Sequence, residues 1–192
     1  ARVSVWGDQW DTAQQWNIFL STLAKASEAC REVFPEAQVM IHTDRSGDAE
    51  TSRRFYSRLD EAGTDYDLIG LSYYPFWHGS LADLGATLQM FQSLLPNKQI
   101  LFAEVAYPYR DWGYPSGTHE KAYPSTPQGQ AAFTDALLTF LEARPQVAGL
   151  LWWFAEETYS PHQRIHPDLH RGLFDNQTGY ALPALDMFKT LP

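Results

Sequence analysis

Four short apolar runs, residues 38–42, 67–72, 99–104 and 147–154, alternate along the chain with segments of helical period. Runs this apolar read as strands buried on both faces, which is the condition of a parallel sheet covered by helices. The segments between them carry apolar residues in steps of three and four, the mark of amphipathic helices. Residues 14–34 place Trp16, Phe19, Leu20, Leu23, Ser27, Cys30 and Phe34 on one stripe. Residues 80–95 do the same with Leu81, Leu84, Leu88, Phe91 and Leu95, and residues 131–143 with Phe133, Ala136, Leu137, Phe140 and Leu141. Weaker helices are expected over 50–62 and 182–191. Ser80 with Asp83 forms a capping-box pattern, and Thr126 before Pro127 is an N-cap followed by proline at the first helical position. One helix followed by four strand–helix pairs is the order of a parallel α/β protein.

Length limits what that order can close into. A complete (βα)8 barrel takes about 250 residues, whereas this chain has 192 and supplies four convincing strands. Half a barrel exposes two sheet edges and the inner faces of its strands, a liability that proteins normally cover. The expectation is therefore that strands on the N-terminal side are absent from this chain or supplied by another one. An open four- or five-stranded sheet is the alternative. A hydrophobic content of 44% is enough for a real core, and a net charge of −9 argues against nucleic-acid or anionic-membrane partners. No apolar run approaches the roughly 18 residues of a membrane span. The single Cys30, on an apolar stripe, reads as a small core residue.

Chemistry concentrates where the strands end. Glu104 closes the run Ile100-Leu101-Phe102-Ala103 and precedes Val105-Ala106-Tyr107-Pro108-Tyr109. A carboxylate at the C-terminal end of such a strand sits where barrel enzymes keep their catalytic groups. The plainer reading, a capping or ion-paired glutamate, weighs less because charged residues are rarely buried unless paired or functional. Eleven aromatic rings crowd the same level: Tyr73, Tyr74, Phe76, Trp77, Tyr107, Tyr109, Trp112, Tyr114, Trp152, Trp153 and Phe154, with Trp6 and Trp10 near the N-terminus. Sugar rings stack their C–H faces on aromatic rings, and their hydroxyls bind carboxylates and imidazoles. Packing of loops against one another explains any one ring equally well. The number of rings favours a carbohydrate cleft.

Residues 67–79, Asp67-Leu68-Ile69-Gly70-Leu71-Ser72-Tyr73-Tyr74-Pro75-Phe76-Trp77-His78-Gly79, resemble the sixth-strand signature of glycoside hydrolase family 53, the arabinogalactan endo-β-1,4-galactanases. Glu104-Val105-Ala106-Tyr107-Pro108-Tyr109 is similar to that family's seventh-strand motif, and Trp152-Trp153-Phe154-Ala155-Glu156-Glu157 to its eighth. Arg171-Gly172-Leu173-Phe174-Asp175-Asn176 resembles its C-terminal segment, and Val39-Met40-Ile41-His42 its fifth strand. The resemblance implies the C-terminal half, strands 5–8, of a (β/α)8 TIM barrel, with residues 1–192 forming one partial barrel domain. It further implies a retaining glycosidase whose nucleophile is Glu104. The family's acid/base glutamate, in an Asn-Glu pair at the end of strand four, would precede Ala1, and no Asn-Glu dipeptide occurs in the chain. Activity of the chain alone is accordingly expected to be small.

Other roles follow from the same resemblance. Tyr73 or Tyr74 would donate a phenolic hydrogen bond to Glu104. His42 and Asp44 would contact sugar hydroxyls, and His78 would do so or orient a carboxylate. Trp152 or Trp153 would floor the subsite of the reacting sugar, with Trp77, Tyr107 and Glu156 also in the binding cleft. Glu156 and Glu157 compete with Glu104 for the catalytic role. The implied partner is β-1,4-galactan or arabinogalactan, and the implied location is secreted, periplasmic or cell-surface. Some family members bind calcium near strands seven and eight. Here the loop 110–123 offers only Asp111 and Glu120 as acids, so no cofactor is expected. His162, His166 and His170 are spaced by four, but Pro161 and Pro167 break any helix that would align them as metal ligands. Two other functions stay open. One is a retaining endo-glycosidase of the same clan acting on mannan or β-glucan. The other is a non-catalytic, carbohydrate-binding or self-associating half-barrel.

Overall fold

The computed structural model describes residues 12–111, 122–157 and 170–190. The first helix, α1 (Ala13–Val33), starts on a capping box between Thr12 and Gln15, which satisfies two of the amides a helix start leaves open. It is followed by β1 (Met40–Thr43), α2 (Ala49–Glu61), β2 (Leu68–Tyr73), a single turn α3 (Pro75–His78) and α4 (Leu81–Leu94). Next come β3 (Gln99–Val105), α5 (Pro127–Glu142), β4 (Val147–Trp152), and α6 (Ala184–Met187) with a 3-10 turn, Phe188–Thr190. The predicted caps are formed: Ser80 and Asp83 close a capping box on α4, and Thr126 accepts from the Gly129 amide with Pro127 opening α5. The α3 turn was not anticipated. Of the helix expected over 182–191, the described residues form one α-helical turn and the 3-10 turn.

The four strands form one parallel sheet in the order β1-β2-β3-β4, each neighbour joined through a helix. The sheet is the strand–helix succession of a (β/α) barrel wall. Its outer edges, β1 and β4, have no further strand among the described residues. The core lies on the helix side. Ile69, Leu71, Ile100, Phe102 and Val105 point there with no exposed surface and meet Tyr56, Leu59, Leu84, Phe91, Phe133 and Leu137 from α2, α4 and α5. The opposite side of the sheet is thinly covered. His42 is exposed there, and Leu151 keeps 55% of its surface open to solvent. No described helix is long and apolar enough to cross a membrane.

An ion cluster at the N-terminal end of the sheet fixes α1. Arg31 donates to Asp65 at 3.0 and 3.1 Å, to Asp67 at 2.9 Å and to the Ala37 carbonyl at 2.7 Å. Asp67 also accepts from the Val39 amide at 2.6 Å. That amide first, and Arg31 with it, hold the Asp67 carboxyl below its usual range; Arg31 does the same for Asp65. Groups with depressed folded-state values stabilise above their unfolded value of about 3.9 and lose that contribution as pH falls through the folded value. Stability is therefore expected to drop on acidification below about pH 4, and less steeply in Asp67→Asn, which starts lower at neutral pH. Denaturant midpoints measured across pH check this. Parallel curves for the two proteins would contradict it.

Candidate active site

By sequence parity Glu104 belongs with Ile100 and Phe102, both fully buried against helices. A β-bulge changes this. Leu71 pairs with Phe102, but the next residue of β2, Ser72, pairs with Glu104, leaving Ala103 as the extra residue of β3. One unpaired residue flips everything after it to the other face. Glu104 therefore leaves the core and opens, with His42, Asp44, Ser72, Phe19 and Phe55, onto a cavity of about 400 Å³ at the strand ends. Val105 takes its place in the core. The register of β3 on β4 slips in the same stretch, so that Phe102 pairs with Leu150 and Val105 with Trp152.

Tyr74, the residue after β2, donates its phenolic proton to Glu104 Oε2 at 2.8 Å. Burial, and then the carboxylate it binds, push the Tyr74 phenol well above its ordinary range, while Arg171 pulls the other way. Tyr74 thus stays protonated, a fixed donor to Glu104. On the β1 side, His42 Nε2 lies 2.8 Å from Ser72 Oγ, which ties the exposed imidazole to the strand that faces Glu104. The α3 turn hangs beside this group. Its His78 Nδ1 accepts from the Tyr74 amide at 3.0 Å, and its Trp77 stands edge-on to Tyr74 at 5.5 Å with 36% of its surface open. Trp153 meets Tyr74 from the β4 side at 6.4 Å.

Other expected site residues differ in their contacts: Trp152 joins Trp153 against Tyr74, Phe76 and Ala106, whereas Tyr73 and Tyr107 turn from the cavity. Tyr73 is fully buried on the helix side and donates to the Gly79 carbonyl at 3.0 Å, since neighbours along a strand point to opposite faces. Tyr107 is 1% exposed, stacks on Phe133 at 4.6 Å and donates to the Tyr123 carbonyl. It packs the loop after β3 and does not face the cavity. Trp152 commits its indole N–H to the Arg171 carbonyl at 2.7 Å and packs edge-on to Phe188. Glu156 is exposed and does not line the cavity with Glu104. Its neighbour Glu157 is buried, with Oε2 accepting from the Arg171 amide at 3.0 Å. Glu104, Tyr74, His42 and Asp44 are brought together, with Trp77, His78 and Trp153 at the rim of Tyr74.

Trp6, Trp10, Trp112, Tyr114, Glu120, His162 and His166 lie outside the described residues. Among the described residues no group of three or more His, Cys, Asp or Glu side chains converges as a metal site. Sequence reading missed the placement of Arg171, whose buried guanidinium stands over Trp153, Tyr74 and Trp77 at 4.4, 5.2 and 5.7 Å. No local pattern signals that placement, because its ring partners come from two segments distant in the chain.

The fold and the carboxylate at the strand ends define a partial (β/α)-barrel of the glycosidase type. The profile of glycosyl hydrolase family 53 matches residues 3–188, and the chain belongs to that family. It is 34% identical, over 165 residues, to an uncharacterised Niallia circulans protein from the region 5′ of bgaB, covering 81% of this chain and 44% of the relative. It is 32% identical over 130 residues to the probable arabinogalactan endo-β-1,4-galactanase A of Aspergillus fumigatus, covering 62% and 36%. The solved family 53 catalytic domain of Ignisphaera aggregans superposes with a TM-score of 0.78 at 28% identity, over 92% of this chain and 53% of that one. The chain thus spans about half the length of that solved domain, and less than half of those two curated relatives.

The α3 turn packs against the loop after β1 so closely that a Cβ on Gly47 would stand 1.5 Å from the His78 carbonyl oxygen. Gly47→Ala must push that turn, with Trp77 and His78, away from Tyr74, and is expected to cost about 1–3 kcal/mol of stability. Gly85→Ala, inside α4 where the added methyl meets Phe140 at 3.4 Å, is expected to gain up to about 1 kcal/mol from helix propensity. Chemical denaturation of both variants checks the contrast. An unchanged Gly47→Ala protein would contradict it.

Proposed function

We propose that this chain carries the nucleophile side of a retaining endo-β-1,4-galactanase acting on galactan or arabinogalactan. The observation that carries the reading is Glu104, turned by a bulge into an open cavity at the C-terminal end of a barrel strand and hydrogen-bonded by the protonated Tyr74. Family membership and the galactanases among the relatives support the substrate.

In such a reaction Glu104 attacks the anomeric carbon as the glycosidic bond breaks, and a second carboxyl group protonates the leaving oxygen. Water then releases the glycosyl group with the same stereochemistry. The two carboxyl groups must stand about 5–5.5 Å apart. The proposal takes the second one from outside the described residues, in a further part of the barrel that also pairs with the open edges of β1 and β4. Tyr74 holds Glu104 oriented and donates to it as its charge changes through the cycle. His42 and Asp44, on the cavity wall, contact sugar hydroxyls, and Trp77 and Trp153 offer apolar faces to neighbouring sugar units. A polymeric galactan does not cross membranes unaided, so the reading places the enzyme outside the cytoplasm or at the cell surface.

The test is release of reducing ends from β-1,4-galactan, with mannan and β-glucan beside it. The chain is assayed alone and joined to the N-terminal half-barrel of a family relative. Galactan hydrolysis is expected from the joined protein and is expected to vanish in Glu104→Gln. The chain alone should fall short by at least the 10²–10⁴-fold that general acid catalysis typically contributes. A correctly folded joined protein that leaves galactan intact, or that cleaves mannan instead, would overturn the substrate. Full activity in Glu104→Gln would overturn the mechanism.

A further inference from the structure

Arg171 is 3% exposed and sits on a segment held from several sides. Its amide donates to Glu157 Oε2 at 3.0 Å, and its carbonyl accepts from the Trp152 indole at 2.7 Å. The Gly172 carbonyl accepts from Gln130 at 2.9 Å, and the His170 carbonyl from the Tyr109 amide at 2.8 Å. His170 adopts φ 47°, a left-handed backbone uncommon outside glycine, and this bend sets the direction in which Arg171 follows. So much fixing of one short stretch of backbone aims a single buried cation at the aromatic cluster around Tyr74.

We infer that Arg171 is a positioning residue for the Tyr74–Glu104 pair, an inference that rests on the proposed galactanase reaction for its catalytic meaning. The guanidinium lies 5.2 Å from the centroid of Tyr74 and 4.4 Å from that of Trp153. A cation over an aromatic face is attracted by the ring quadrupole, most strongly when both are desolvated. That attraction grips the Tyr74 ring, so that its hydroxyl stays aligned on Glu104 Oε2. It also draws electron density from the phenol, which makes the O–H a better donor to the carboxylate. The planar guanidinium stacks on several rings at once, which an ammonium group does not. Arg171 itself touches no reacting atom. It acts through Tyr74, and it couples the C-terminal segment to the end of β2.

The test uses the joined protein described above, carrying tyrosine labelled with ¹³C at Cζ, whose shift reports the hydrogen bonding of the hydroxyl. Tyr74→Phe assigns the signal by removing it. Arg171→Gln is expected to move the Tyr74 signal while distant tyrosines stay in place, and to lower kcat about tenfold with KM little changed. Arg171→Lys keeps the charge without the stacking, and is expected to recover part of both effects. In the Tyr74→Phe background, Arg171→Gln is expected to cost almost nothing further in kcat. An unmoved Tyr74 signal in folded Arg171→Gln, or losses in kcat that simply add, would overturn the inference. If Arg171→Gln does not fold, Arg171→Lys carries the test: a smaller displacement in the same direction supports the coupling, and none overturns it. A joined protein that leaves galactan intact would sink the proposed function, and the Tyr74 signal would still decide whether Arg171 holds that residue.

Discussion

One extra residue in β3, Ala103, decides which side of the sheet Glu104 occupies. Without it, the carboxylate would follow Ile100 and Phe102 into a core made of rings and branched side chains. An ionised carboxylate there would lack the partners that burial demands. With it, the strand puts Val105 into the core and turns Glu104 toward the open end of the barrel wall. The bulge thus satisfies packing on one face and chemistry on the other with a single backbone irregularity, in keeping with the way bulges gather next to active sites.

The surroundings of Glu104 are built from elements that the bulge alone does not control. Tyr74 leaves β2 at its end, and α3 turns back over it through the bond between the Tyr74 amide and His78. The C-terminal segment, pinned by Trp152, Gln130 and Glu157, delivers Arg171 to the same ring. Three regions widely separated along the chain converge on one tyrosine. The site is buried at Tyr74 and open to solvent at His42, Asp44 and Trp77.

Much of this was legible beforehand, for identifiable reasons. Central strands such as Leu68–Tyr73 announce themselves because nearly every residue is buried, and helices such as Leu81–Leu94 because one stripe must meet the sheet. Caps at Thr126 and Ser80 were readable because they depend on residues three apart. Glu104 was readable from its place at a strand end. Which of Tyr73 and Tyr74 reaches it was not, since that depends on which face each tyrosine takes. Aromatic density alone does not give the contacts of Tyr107 and Trp152. A ring at a strand end serves equally well to pack a loop, and only the partner decides, here Phe133 for one and the Arg171 carbonyl for the other. The motif that begins at Arg171 was readable but the residue's placement was not, because its partners adjoin it only after folding.

The most direct measurement of the central claim, that Glu104 is the nucleophile of a retaining glycosidase, is covalent trapping. An activated 2-deoxy-2-fluoro-β-galactoside carries a leaving group that departs without acid assistance, and its fluorine slows the release of the glycosyl-enzyme. Peptide mapping by mass spectrometry after exposure to this reagent should find one added sugar, on the peptide containing Glu104 and at that residue. A label on Asp44, Glu156 or another carboxylate would contradict the assignment. So would galactan hydrolysis that proceeds with inversion and leaves no label at all.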